Sequence, residues 1–230
     1  MALQLLRDAI VVDLSHWQPP GSIDWKTAKA EGNVVGAIIK LMQNGAPDPA
    51  HVQHLYDAYE AGIRLLGIYD FGVEDPDHVT FLNEALGEFQ GRLDRVLLAL
   101  DAEQSSNQMS VATAAVWVQA IDSNQHRYPT LYMGKAGPDG TGRMLPNAAL
   151  SKCDLWLPKY GPEPTVDSLP PGFRLPTSDT DRGGVLRLWQ FTGDGINPPA
   201  VWPKGIPPKC DLSYPVGFSS IEALTAWWGT

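Results

Sequence analysis

Leu100-Asp101-Ala102-Glu103 ends an apolar run with two carboxyl side chains two residues apart. On an extended strand such residues point the same way, so Asp101 and Glu103 share one face and one small space. Crowded carboxylates cannot all ionise cheaply, so at least one holds its proton more tightly and remains an acid near neutral pH. Glycosidic cleavage needs that: one carboxylic acid protonates the departing oxygen while a carboxylate stabilises or attacks the cationic sugar centre. Further acids recur at comparable places, with Asp13 ending the run 9–14, Asp70 nearly ending 65–71, and Asp211 inside 210–214. Trp17, Gln18, Tyr69, Tyr132, Trp156, Tyr160, Trp189 and Gln190 stand near the same run ends and sketch an acidic groove with aromatic walls, suited to sugar rings. A lone Asp-X-Glu, or a lone aromatic, is more often structural than functional. The weight lies in their alignment at strand ends, where α/β barrels keep their active sites.

The elements that must position these residues follow from the hydrophobic pattern. Runs at 9–14, 34–41, 65–71, 96–103 and 130–133 are almost continuously apolar, as expected of strands buried on both faces. Segments 25–30, 49–61, 77–89 and 110–126 lie between them with apolar residues at helical spacing, as in Val111, Ala115, Val118 and Ile121. Such alternation predicts an α/β fold with a parallel sheet covered by helices. Beyond about residue 134 Gly and Pro increase, and strands at 155–159, 185–191 and 210–214 follow without long helices between them. The Pro- and Gly-rich stretch 161–184 reads as an irregular surface loop. A last helix is expected over 219–228, started by Ser219 with Glu222 at capping-box spacing, and its Trp227 and Trp228 are expected to seal the barrel bottom. At 230 residues without a linker or repeat, one catalytic barrel domain over 1–230 is expected.

Composition excludes several classes. A formal charge of −9 with no Lys/Arg cluster would repel a phosphate backbone or an anionic membrane at long range, so neither nucleic acid nor membrane is an expected partner. No stretch approaches the ~20 apolar residues that span a bilayer, and the N-terminal residues lack the apolar core of a Sec signal. A monomer made in the cytoplasm and delivered by phage lysis or specialised secretion is expected. Cys153 and Cys210 lack zinc-site spacing, and two buried thiols are expected, with a disulfide between them as the alternative.

The motifs, taken in order, resemble those of the family 25 glycoside hydrolases, the Ch-type lysozymes, over residues 10–214. Asp13-Leu14-Ser15-His16-Trp17-Gln18 is similar to the family's Asp-X-Ser-X-X-Gln, Ile39-Lys40 ends the second strand, and Gly67-Ile68-Tyr69-Asp70-Phe71 looks like its Tyr-His-Phe segment. Leu100-Asp101-Ala102-Glu103 is similar to its Asp-X-Glu centre. Pro129-Thr130-Leu131-Tyr132, Leu155-Trp156-Leu157, Leu188-Trp189-Gln190-Phe191 and Asp211-Leu212-Ser213-Tyr214 resemble its later strands. The resemblance implies an irregular TIM-like barrel of five β/α units followed by three strands with few helices. It also implies N-acetylmuramidase activity on the β-1,4 bond between N-acetylmuramic acid and N-acetylglucosamine of peptidoglycan glycan strands, with no cofactor and no metal. Glu103 would be the proton donor. Asp101 would orient the substrate acetamido group or stabilise a cationic intermediate, leaving open whether a carboxylate or that acetamido group attacks. Asp13 and Asp211 would set the field and hold the pocket, with Lys40 among the substrate contacts. Two departures bear on subsites and pH optimum: Asp70 replaces the family's His, and Leu41-Met42-Gln43-Asn44-Gly45 replaces its Ala-Thr-Glu-Gly.

Two other readings fit some of these residues. One is a barrel that binds glycan without turnover, against which the retained acids argue. The other is a metal-dependent hydrolase built from Asp13, His16, Asp70 and Asp101; it lacks His-X-X-Glu-His spacing, and His51 and His54 fall on a helix expected at the surface.

Overall fold

The computed structural model describes residues 3–43, 45–74, 80, 95–102, 109–133, 147–161, 184–193 and 195–230. In chain order these form β1 (Ile10–Leu14), α1 (Trp25–Glu31), β2 (Val34–Gln43), β3 (Ala46–Pro47), α2 (His51–Glu60), β4 (Leu65–Phe71), β5 (Leu97–Asp101) and α3 (Val111–Gln125). They continue with β6 (Thr130–Tyr132), a 3-10 turn (Leu150–Lys152), β7 (Asp154–Pro158), β8 (Leu186–Thr192), β9 (Asp211–Pro215) and α4 (Ile221–Trp227). The sheet runs β1-β9-β8-β7-β6-β5-β4-β2, and a β1–β2 pairing closes it into an 8-stranded barrel, with β3 a short hairpin partner of β2. Neighbours pair in parallel except around β9, which is antiparallel to both β8 and β1. Four α-helices lie among the described residues, and none is long and apolar enough to cross a membrane. The helix expected over 77–89, apart from position 80, and nearly all of the loop expected over 161–184 lie outside the described residues.

Two-residue alternation sorts each strand. Val11, Ile38, Leu65, Leu97, Ala99, Tyr132, Trp156 and Leu188 pack together inside the barrel. Their neighbours Val12, Ile39, Leu66, Leu98, Leu100, Leu131 and Leu155 face outward into the layer under the helices. Both faces are therefore apolar, which explains the near-continuous runs in the sequence. The floor of the lumen is closed by Phe218, Leu224 and Trp228, the last 1% exposed with its indole N–H donating to Leu66 O at 2.7 Å. Gly36 makes room for it, since a Cβ there would lie 2.9 Å from Leu65 O and 3.3 Å from Trp228 Cη2. Below the floor, half-buried Trp227 donates to Asp154 Oδ2 at 2.7 Å, and Arg187 Nε meets the same oxygen at 3.4 Å.

Two local features differ from the sequence reading, the start of the last helix and the burial of the α2 histidines, while the cysteines follow it. The cap of α4 is Ser220, accepting from Ala223 N–H at 3.3 Å, so the helix starts one residue later than a Ser219–Glu222 capping box requires. His51 and His54 are buried on the inner face of α2, where His54 Nε2 donates to Gln18 O at 2.8 Å; they are not surface residues. Cys153 and Cys210 are both buried and free, which removes the disulfide alternative. The start of α3 is tied to the end of β4 by Glu74, whose carboxylate accepts from Ser110 Oγ at 2.9 Å and Thr113 Oγ1 at 2.6 Å.

Removing the floor tests this packing. Trp228→Ala is expected to destabilise the fold by about 3–5 kcal/mol, the usual cost of truncating a buried Trp. Urea unfolding should show a lower midpoint at unchanged slope; a loss below about 1 kcal/mol would contradict the assignment of Trp228 to the lumen.

Candidate active site

The inward register that packs the lumen also delivers the polar residues. Asp13 stands two beyond Val11, Lys40 two beyond Ile38, Tyr69 four beyond Leu65, Asp101 two beyond Ala99, and Gln190 two beyond Leu188. All therefore face the lumen at the carboxyl ends of the parallel strands. Asp211 arrives from the opposite direction: it opens antiparallel β9 directly across from Asp13, and directly paired antiparallel residues share a face.

Gln190 joins these groups. Its Oε1 accepts from Tyr132 Oη at 2.7 Å and Tyr160 Oη at 2.9 Å. Its Nε2 donates to Asp13 Oδ1 and Oδ2 at 3.2 and 3.1 Å and to Asp211 Oδ2 at 3.4 Å. The amide orientation follows from chemistry, because a flipped Gln190 would set its carbonyl against two carboxyls and its NH2 against two phenols that can donate. Trp156, 2% exposed, supports the cluster from below; its indole donates to Ser213 Oγ at 2.9 Å and its ring meets Tyr132 edge-on at 4.6 Å. Lys40 lies over the faces of Tyr69 and Phe71, 5.4 and 5.0 Å from their centroids, and donates to Gln43 Oε1 at 2.9 Å.

Charge crowding perturbs these groups. Burial, reinforced by Asp211 and Asp101, pushes the Asp13 carboxyl well above its ordinary range, while Gln190 and Lys40 pull the other way. Burial lowers the Lys40 ammonium against the opposing pull of Asp101, Asp48, Asp13 and Asp211. Burial and the same four carboxylates push the Tyr69 phenol far up, so it remains a hydrogen-bond donor. The pit thus combines a carboxyl of raised proton affinity, further carboxylates and partly exposed phenols. That combination can donate a proton and stabilise a cation.

Not every expected residue joins the pit. Asp70 is 0% exposed on the outward face of β4, accepting from Trp117 Nε1 of α3 at 2.8 Å. Trp189 also faces outward, packed with Phe191 and Tyr214 and donating to Lys159 O at 2.8 Å. Both alternate with lumen residues, Tyr69 and Gln190, and a strand cannot present two successive side chains on one face. The outward turn of Asp70 also breaks up the quartet needed by the metal-hydrolase reading, and among the described residues no group of three or more His, Cys, Asp or Glu is placed to hold a metal. Trp17 and Gln18 lie on the loop after β1, and Gln18 Oε1 accepts from Ser15 N–H at 3.0 Å. Glu103 lies outside the described residues.

Two contributors were missed in the sequence. Gly193 follows β8 where a Cβ would strike the Tyr160 hydroxyl and lie 2.9 Å from Asp211 Oδ1. Asp48 carries a buried charge that acts on both Lys40 and Tyr69, and its only sequence signal is an Asp-Pro step before α2. A separate cavity of about 880 Å³ opens at the floor end beside Arg127, Asp154, Arg187 and Trp227; it contains none of the pit acids, and these side chains already engage other protein groups.

The raised carboxyl gives a signed prediction. A carboxyl whose folded pKa exceeds its ordinary 3.8 favours the fold while protonated, and that contribution is lost as pH rises from 3.8 through the folded value. Asp13→Asn should therefore melt above the wild type at about pH 7, with the gap closing towards about pH 4, while activity collapses. A lower melting temperature for the variant at neutral pH would contradict the assigned direction.

The sequence matches the family model described as Glycosyl hydrolases family 25 over residues 12–199. Comparison with curated proteins finds no match. Among solved structures, the bacterial lysozyme from Streptomyces coelicolor is similar at 22% identity and TM-score 0.67, over 94% of this chain and 95% of that one. The muramidase from Trichobolus zukalii shares 20% identity at TM-score 0.63, over 96% and 99%. The catalytic domain of endolysin ply40 from bacteriophage P40 of Listeria monocytogenes shares 19% at TM-score 0.64, over 96% and 98%. At these identities the likeness is one of fold, and it extends across the barrel that carries the acid pit. With most of its length matched by the family model, the chain belongs to glycosyl hydrolases family 25 and is a glycoside hydrolase.

Proposed function

We propose that this enzyme hydrolyses peptidoglycan as an N-acetylmuramidase, cleaving the β-1,4 bond between N-acetylmuramic acid and N-acetylglucosamine, with Glu103 as proton donor. The observation that carries the reading is the convergence of Asp13, Asp101 and Asp211 in one lumen, where burial first, and then the charges of Asp211 and Asp101, raise the proton affinity of Asp13. Family membership supports hydrolysis of a glycosidic bond, and the lysozyme, muramidase and endolysin among the structural relatives support peptidoglycan as the substrate. The role of Glu103 rests on its sequence position, two residues past Asp101 in the Asp-X-Glu motif.

In the proposed mechanism Glu103 gives its proton to the glycosidic oxygen as the bond breaks. The carboxylates of the pit then offset the positive charge that develops on the sugar ring, and a water adds to the anomeric carbon, its proton returning to Glu103. Asp101, alongside the donor in sequence, orients the acetamido group or stabilises the cation. Asp13 and Asp211, held by Gln190, maintain the negative field and raise the cost of ionising any acid beside them. The Tyr69 hydroxyl and the Lys40 ammonium are the hydrogen-bond donors for substrate oxygens. Gln190, Tyr132 and Trp156 act as supports, because their polar atoms are engaged with one another, with Asp13 and with Ser213.

The test uses purified peptidoglycan with and without EDTA and identifies the released fragments by mass spectrometry. Fragments ending in reducing N-acetylmuramic acid, unaffected by chelator, are the expected outcome. Pull-down without fragments would leave only a glycan-binding barrel, and loss of activity with EDTA would point to metal chemistry. Glu103→Gln should lower kcat by roughly 10²–10⁴-fold, the usual contribution of a general acid, while melting and glycan binding stay near wild type. Near-normal turnover in that variant would remove Glu103 from the donor role.

A further inference from the structure

Immediately beyond Asp13 the chain forms a short, heavily braced loop whose apex is left in solvent. Ser15 N–H donates to Gln18 Oε1 at 3.0 Å, Gln18 N–H returns to Ser15 O at 3.0 Å, and His54 Nε2 holds Gln18 O at 2.8 Å. The strongest brace is Asp48, 2% exposed. Its Oδ2 accepts both the backbone N–H of His16 at 3.0 Å and His16 Nδ1 at 2.7 Å. Its Oδ1 accepts Ala50 N–H at 2.9 Å, and its own N–H donates to Leu41 O at 2.8 Å. One buried residue therefore ties the loop after β1 to the start of α2 through its carboxylate and to β2 through its backbone N–H. Yet Trp17, at the apex, is 75% exposed and makes its ring contact with His16 at 4.7 Å and 36°. Isolated exposed aromatics are ordinary on protein surfaces. A costly polar frame beneath an exposed Trp is not, because ordering the loop yields little burial of that ring.

The chemistry of the pair is specific. An oxygen that already accepts a backbone N–H requires His16 Nδ1 to be the donor, so in the neutral ring Nε2 is an acceptor. The His16 side chain is 31% exposed, and Nε2 engages no other group among the described residues. An open indole face beside a free hydrogen-bond acceptor matches a pyranose ring, which offers an apolar C–H face together with hydroxyl and acetamido N–H donors. The ledge also adjoins the pit, since Asp48 beneath it acts electrostatically on Lys40 and Tyr69.

We propose that His16 and Trp17 form a saccharide-binding ledge at the rim of the acid pit, taking an N-acetylhexosamine of the glycan strand outside the scissile bond, with Asp48 as the residue that positions it. The ledge rests on the reading that this enzyme acts on glycan strands. Trp17 supplies the stacking face, His16 Nε2 accepts a hydrogen bond from the sugar, and Asp48 acts through His16 without touching substrate.

The test measures binding of N-acetylglucosamine tetramer and hexamer to the whole chain by calorimetry, alongside KM and kcat on peptidoglycan glycan strands. Trp17→Ala is expected to weaken hexamer binding by about tenfold and to raise KM by a similar factor, with the change in KM rather than in kcat. Trp17→Tyr should restore most of the affinity, and His16→Phe, which keeps a ring but removes both the acceptor and the bond to Asp48, should weaken binding by roughly threefold to tenfold. Asp48→Asn should shift KM in the same direction, a split that general loss of structure would not produce. Trp17 is exposed enough that its substitution leaves the fold intact, so the result does not depend on the stability of the Asp48 variant. Hexamer affinity and KM equal to wild type in Trp17→Ala, or no oligomer binding by the wild type, would overturn the ledge. Failure of the wild type to release fragments from peptidoglycan would instead overturn the hydrolase reading, and the oligomer titration would still decide the ledge.

Discussion

The amide of Gln190 carries opposite demands on its two ends. Two tyrosine hydroxyls fix its carbonyl, which forces its NH2 group towards Asp13 and Asp211. Without that donor the two acids, brought face to face by the β1–β9 pairing, would stand in a closed lumen with Lys40 as the nearby cation that lowers the pKa of Asp13. Repulsion between like charges in low dielectric is relieved in part by such hydrogen bonds, and what remains, with burial, raises the proton affinity of Asp13. The antiparallel entry of β9 consequently delivers an acid to the same rim from the reverse direction.

The rest of the molecule supports this crowding. Apolar residues fill the lumen beneath the acids, Trp228 closes the floor, and Trp156 supports Tyr132 from below. Burial that would stabilise an apolar side chain works against a carboxylate, so the lumen that builds the barrel core also raises the proton affinity of Asp13. Stability is lost at the site and recovered in the core, a pattern common where chemistry requires uncomfortable charges. Gly193 belongs to the same economy of space, since it admits the Tyr160 hydroxyl and Asp211 to positions that any side chain would deny them.

Much of the strand framework was legible from composition and period. The run 65–71 is β4 residue for residue, and the acids at strand ends reach the lumen because two-residue alternation carries the inner face past the apolar core. The same rule, applied strictly, would have separated Tyr69 from Asp70 and Gln190 from Trp189. Proximity along the sequence suggested shared walls, whereas neighbours on a strand face opposite sides. Asp70 and Trp189 accordingly pack in the outer layer. The buried histidines of α2 were misjudged for a different reason: their partners are a backbone carbonyl at Asp48 and another at Gln18, contacts from the helix to flanking loops that no helical periodicity reports. Asp48 was missed on the same ground, because its importance comes from joining segments distant in sequence.

A carbon-detected NMR titration of the aspartate carboxyls, followed from about pH 3 to about pH 8, measures the crowding itself. Asp13 is expected to titrate well above 3.8, in steps shared with Asp211 rather than as an isolated group. Titration of Asp13 at or below 3.8, in a single step indifferent to Asp211→Asn, would contradict the coupled acid pit on which the proposed chemistry depends.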